Sequence, residues 1–322
     1  MTNGVQRFNF YLDQLVQLFL EAAKQPDAAL WLYQNGARTP LFMLEGLAKL
    51  YSGILKKKRF DKMEKRFKRL EDRLGAIDYY DAFAKDFATD PNLPVETAQF
   101  ARAKCDEQIA SLNELLKDKK WIGEKATRLA KTKKKLDKTE WLDDEDEVKA
   151  IEHYYQRSIK KINAFAKRYE NGFTDLESQV HELRRKLRWL SIYPQALQGA
   201  VQLNEAPSND PNVAKYLAPE IVNSPFNKMP AAGENRVVLK LNRDYFLALS
   251  WMIAELGKLK DEGLRMALLD EAKAEPDTEP ANETDILQRA FDITRAFFAE
   301  KNLDKMMAGV SEPTEAAKPA SP

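Results

Sequence analysis

The sequence predicts an all-α protein made of two related helical halves, and three observations carry that expectation. Glycine is scarce, 12 of 322 residues or about 4% where roughly 7% is usual, which disfavours a protein of sheets and tight turns. Nearly every long segment repeats its apolar residues with the 3.6-residue period of a helix. A Leu-Gly element recurs in two amphipathic segments, as LEDRLGAIDYYD at 70–81 and MIAELGKLKDEG at 252–263. In each, an apolar residue stands two positions after the glycine and an acidic residue follows. A length of 322 residues suits two units at about 150 residues per domain.

The elements follow in chain order. Phe8, Leu12, Leu15, Val16 and Phe19 recur at helical spacing, and Asp13 interrupts them, so the N-terminus reads as an amphipathic helix rather than a signal peptide. LFMLEGLAKLYSGI at 41–54 precedes the first Leu-Gly element, and DPNLP at 90–94 breaks the helix after it. Ile151, Tyr155, Ile159, Ile162, Ala166 and Tyr169 form a second stripe, which ENGF at 170–173 ends. A helix over 176–201 carries Leu176, Leu183, Leu187 and Leu190 on its apolar side, and Pro194 should bend it. The segment 204–235 holds five prolines and reads as an insertion with one short helix near Val213–Leu217. RVVLKL at 236–241 is the one candidate strand, equally a lead-in to the helix that follows. The run 270–285 reads as an acidic linker. The expected domains are therefore 8–145, 146–300 with its insertion, and a disordered tail at 304–322.

Charge cancels in total, 51 Lys and Arg against 50 Asp and Glu, but it is segregated. Residues 56–73 hold ten basic and four acidic residues, and residues 117–138 hold ten and three. Six acids follow within 140–147, where Asp143 to Glu147 should cap a helix start rather than gather a magnesium ion. The neutral balance thus hides surfaces basic enough to hold a polyanion. Solvated helix faces account for each run equally well in isolation.

The informative constellation is the helix around VHELRRKLRWL. With His181 set at 0° and 100° per residue, Arg184, Arg185 and Arg188 fall within a sector of about 100°, opposite Leu183, Leu187 and Leu190. Guanidinium forks match phosphate oxygens bidentately, and a row of them at one-turn spacing suits a chain of phosphates.

Catalytic signatures do not assemble. There is no P-loop, no Gly-rich dinucleotide turn, no GxSxG elbow and no HExxH. The lone Cys105 forms no disulfide framework, and with only His153 and His181 most zinc enzymes drop out. His153 reads as structural. The most apolar run, Tyr245 to Ala254, is half the length of a membrane span. A soluble cytoplasmic protein with no cofactor and no enzymatic activity is the expectation.

The two Leu-Gly elements and their upstream helices resemble the CHAD family, helical domains with recurring histidines. Val180, His181, Leu183, Arg184 and Arg188 match its V/L-H-x-L-R helix in order. Leu256, Gly257, Leu259, Lys260 and Asp261 match its later LGxxRDxDV element, and the first half matches at Leu74, Gly75, Ile77 and Asp81. The resemblance spans roughly residues 10–270. It implies two four-helix-bundle halves of long antiparallel helices related by internal duplication, and binding of inorganic polyphosphate or a related polyanion. The implied site residues are His181, Arg184, Arg185 and Arg188, joined by Lys49 from the first half. There, Phe42 stands where the family has His and Glu45 where it has Arg. A competing reading is a helical scaffold that kept the fold and lost the anion site, meeting a protein partner through 204–235. Nucleic acid is disfavoured, because the aromatic residues nearest the basic runs are few, Trp121 and Trp141 being the candidates.

Overall fold

The computed structural model describes residues 3–123, 126–273 and 282–313. Among these the protein is mostly helical, with eleven α-helices and one three-stranded sheet. No helix among them is long and apolar enough to cross a membrane. The chain divides into two compact units, residues 1–141 with 265–280, and residues 142–264 with 281–322.

The first unit opens with α1 (Asn3–Ala22), which buries Phe8, Leu12, Leu15 and Phe19 as its periodicity requires. It continues with α2 (Ala28–Gln34), α3 (Arg38–Leu55), α4 (Lys58–Thr89), α5 (Val95–Asp118) and α6 (Thr127–Asp137). The long α4 packs against both α3 and α5, and α1 packs against α3 and α6. Phe8, Tyr51, Phe60 and Trp141 interlock with ring centroids 5.2–6.0 Å apart. The Trp141 indole N–H is spent on the Leu136 carbonyl at 3.1 Å, and Trp121 is 5% exposed. Trp121 is thus buried, and Trp141 is half-buried within the aromatic cluster.

The second unit contains α7 (Asp144–Lys167), α8 (Glu182–Ala196), α9 (Pro219–Val222), most of α10 (Arg243–Glu271) and α11 (Glu283–Ala299). Asp143 caps α7 by accepting from the Asp146 N–H, and four acids fill its first turn. The helix expected to run through residue 201 ends at Ala196. Pro194 lies inside it and cannot donate to the Leu190 carbonyl. That carbonyl instead accepts from the buried Tyr155 hydroxyl at 3.0 Å.

Three short strands accompany the helices: β1 (Val201–Asn204), β2 (Val238–Asn242) and β3 (Met307–Ser311). The β2 strand is the RVVLKL candidate, pairing parallel to β1 and antiparallel to β3, with a bulge at Lys240/Leu241. Parallel strands need a crossover of a dozen residues or more, and 205–237 is that crossover. The segment 204–235 is thus the connection that lets β1 and β2 pair. It carries short 3₁₀ turns at Ala214–Tyr216 and Pro225–Asn227 on either side of α9. Gly199 admits it closely: at φ +90°, a Cβ there would lie 2.1 Å from the Ala231 carbonyl oxygen.

The tail expectation is corrected for residues 304–313. Met306 is fully buried and β3 begins at the next residue, because the edge of β2 supplies hydrogen-bond partners that composition does not reveal. Residues 314–322 lie outside the described residues, as do 274–281 of the expected acidic linker. On either side of that gap, α10 runs to Glu271 and Asn282 caps α11.

Candidate functional site

The basic helix face begins with an irregularity. Asp175 caps the segment by accepting from the Ser178 N–H, and Leu176–His181 then forms a π turn before α8. A π turn holds more residues per turn than an α-helix, so helical phase counted across it fails, and Leu176 is only half-buried. From His181 onward the phase holds. Leu183, Leu187 and Leu190 are fully buried, and Arg184, Arg185 and Arg188 are not.

The four predicted side chains on this helix have different surroundings. His181 Nδ1 lies 2.7 Å from Glu177 Oε2. Arg185 and Lys186 both pair with Glu182, whose carboxyl burial would raise but these two cations lower. Arg188, one turn after Arg184, is half-buried. Arg184 is the unusual one. Its Nε donates to the Ile253 carbonyl at 3.2 Å, and its guanidinium lies across Gly257, where a Cβ would meet Nε at 3.1 Å and Nη2 at 3.2 Å.

The glycine of the second Leu-Gly element is therefore the floor on which Arg184 rests. Among the described residues no carboxylate forms a salt bridge with Arg184. Burial lowers its pKa, with the charge of Asp261 acting in the opposite direction. A guanidinium stays protonated regardless, so burial makes it a cation held at electrostatic cost, which an arriving anion relieves.

The first unit holds a parallel arrangement that the motif alignment missed. The guanidinium across Gly75 comes from Arg38, with Nη2 2.9 Å from the position of a Cβ. Arg38 is seven residues before Glu45, the position matched to Arg184. Its Nε bonds Glu71 at 2.8 Å and its Nη1 bonds Asp78 at 2.6 Å. Glu45 itself is 4% exposed with Oε2 lacking a hydrogen-bond partner, and burial followed by the charge of Glu71 raises its pKa to about 7. A signal was present in the sequence, an arginine one turn before the LFMLEGL stripe on the same helix, but it stands outside the spacing of the aligned motif.

The other sequence candidates are engaged elsewhere. Lys49 belongs to the first unit and pairs with Glu64 at 3.1 Å. In the basic run that follows it, Lys57 pairs with Glu140 and Arg59 donates to Thr139. Asp81, matched to the first-half motif, accepts from Tyr33, Lys85 and Arg102 at 2.7–2.8 Å. Burial would raise its pKa, but these three bonds lower it. Cys105 is buried and its thiol is pushed up by that burial, which leaves it unreactive. His153 is exposed on α7.

No family model matches the chain, and no curated protein matches it either.

Proposed function

We propose that the protein binds inorganic polyphosphate or a related polyanion without catalysing a reaction, through the α8 face of Arg184, Arg188, His181 and Arg185. The observation that carries this reading is Arg184: a largely desolvated cation, positioned by a neutral carbonyl and a glycine floor, with no salt bridge among the described residues. A fixed and uncompensated charge gives an anion more than a flexible surface lysine does, because neither side-chain ordering nor displacement of a carboxylate opposes binding. Arg188, one turn further on, extends the charge along the helix, and His181, one turn before, adds a ring nitrogen that can hydrogen-bond to phosphate.

The resemblance to the CHAD family supports the ligand class, and a duplicated ancestry is part of the same proposal. The recurrence of arginine across a helical glycine in both units supports it. Lys49 is the weakest member of the expected set, being paired with Glu64 in the first unit. A cytoplasmic location belongs to the proposal as well, on the strength of the single thiol.

A scaffold that has lost its anion site is the second reading. What favours it is that His181, Arg185 and Lys49 each already face an intramolecular carboxylate. The segment 204–235 gives that reading less: Tyr216 and Ile221 are buried and Phe226 alone is 81% exposed.

Calorimetric titration with medium-chain polyphosphate at two salt concentrations, beside single-stranded DNA, separates the two. Binding that weakens steeply with salt and exceeds that of DNA supports the anion site, by analogy with counterion release from nucleic acids. Absence of binding at low salt leaves the scaffold.

A further inference from the structure

The two basic runs of the sequence converge in the first unit, and their convergence is not part of the α8 face. The α5 helix ends with Lys120 in the left-handed region at φ +53°. Its N–H bonds the Lys117 carbonyl and the next N–H, from Trp121, bonds the Leu116 carbonyl, a paired C-terminal cap that more often employs glycine. This cap turns the chain sharply, so that Lys119 and Lys120 come beside Arg128 and Lys131 of α6. The four line an open hollow of ≈ 620 Å³, with Asp118 the one acid among its described lining residues. An adjoining hollow of ≈ 200 Å³ shares Arg128 and Lys131 and adds Arg66 of α4 and Lys135 of α6.

Among the described residues, six cations thus line these two adjoining hollows against a single carboxylate. Two neighbouring cations on these helices are paired instead, Lys133 with Asp13 and Lys68 with Asp72. Among the described residues none of these six forms a salt bridge. Arg128, Lys131 and Lys135 stand at i, i+3 and i+7, a single stripe about 10 Å long, while Leu129, Thr132 and Leu136 bury the adjacent face, about 100° round the helix. Arg128 is held in place by the Trp121 ring, its guanidinium 5.1 Å from the ring centroid. A π face orients a cation and leaves its net charge intact.

The geometry points to a second anion site in this hollow, for a compact ligand carrying two or three linked phosphates, recognised through the phosphates alone. The volume lies in the range of small-molecule sites, about 300–1,000 Å³. The aromatic residues near it lie beneath the cations, Trp121 at 5% and Phe67 at 2% exposure, so no ring stacks on a nucleobase. A free oligophosphate and the triphosphate tail of a nucleotide share the chemistry, and recognition confined to phosphate makes them equivalent. The site is independent of the α8 reading.

The test is titration of the full chain with inorganic tripolyphosphate and, separately, ATP, without divalent cations. The local readout is the indole N–H resonance of Trp121, assigned by comparison with Trp121→Phe. Both ligands should move that resonance and bind within about threefold of each other, since only phosphate is read. Lys131→Gln and Arg66→Gln, both at exposed positions, should each weaken the Trp121-detected binding by about tenfold while thermal unfolding stays unchanged. Arg184→Ala should leave the Trp121 titration as it was, which separates this site from the α8 face. Parent-like titration of the Lys131→Gln, Arg66→Gln double variant would overturn the proposal. So would a Trp121 resonance unmoved by tripolyphosphate at low salt, or single-stranded RNA binding there far more tightly than tripolyphosphate.

Discussion

Arg38 in the first unit and Arg184 in the second lie in the same manner across a helical glycine, yet they stand in opposite electrostatic settings. Around Arg38 are Glu71 and Asp78 in direct contact, with Glu45 buried near Glu71. Around Arg184 are a backbone carbonyl and, farther off, Asp261. Both glycines do the same mechanical work, letting a guanidinium lie where any Cβ would crowd it. The difference is the charge left over. Arg38 is paired with two carboxylates, whereas Arg184 forms no salt bridge among the described residues. A shared packing device therefore does not imply a shared function.

The contrast can be broken most forcefully at Glu45. Its carboxyl pKa is raised from 4.5 to about 7, by burial first and by Glu71 second. The folded state thus holds that proton more tightly than the unfolded state does. The resulting stability is present below the unfolded value and is lost as pH rises toward 7. Glu45→Gln removes the penalty, so unfolding at pH 8 should show a gain of about 3 kcal/mol that vanishes near pH 4.5. A gain of equal size at both pH values would mean that the carboxylate charge is not the cause.

Arg38→Ala is the next largest effect. It strands the buried Glu71 carboxylate and should cost about 2 kcal/mol in denaturant unfolding, less than a fully buried pair because Arg38 is partly exposed. Arg184→Ala should cost no more than about 1 kcal/mol, since it leaves no carboxylate unpaired. Equal losses from the two substitutions would erase the distinction between the units.

Tyr155→Phe probes the second unit's own framework. It leaves the Leu190 carbonyl, already deprived of a donor by Pro194, without its hydroxyl partner, at about 1–2 kcal/mol. The smallest effect on stability is expected at Gly257. There Gly257→Ala gains up to about 1 kcal/mol of helix propensity and gives much of it back by displacing the Arg184 guanidinium. Polyphosphate affinity should fall all the same, as calorimetry would report.

Much of the helical architecture was legible because burial of one face imposes a 3.6-residue period that Phe8 to Phe19 and Ile151 to Ala166 display openly. The cap at Asp143 was legible for the same local reason: Asx residues before an apolar run satisfy free N–H groups. What escaped depends on partners distant in sequence. Strands β1 and β3 are four and five residues long, and each is defined by pairing with β2 rather than by its own alternation. Val201 reads as the continuation of the α8 stripe until the Gly199 turn is placed against Ala231.

At the site, periodicity located the basic face of α8 correctly but could not say which cation is neutralised. Glu177 and Glu182 lie one turn from His181 and Arg185 and are visible in sequence, whereas the Ile253 carbonyl that holds Arg184 is 69 residues away. The Leu-Gly elements marked both glycine floors. They did not identify Arg38, because the motif alignment followed the apolar stripe two turns too far along α3.

The most direct test of the account is a paired polyphosphate titration of Arg184→Ala and Arg38→Ala, each checked for folding by thermal unfolding. The account predicts that Arg184→Ala loses about tenfold or more in affinity with its fold intact. It predicts that Arg38→Ala is destabilised yet, below its unfolding transition, binds as the parent does. Parent-like binding by Arg184→Ala would contradict the claim that the uncompensated arginine over Gly257 is where the anion is held.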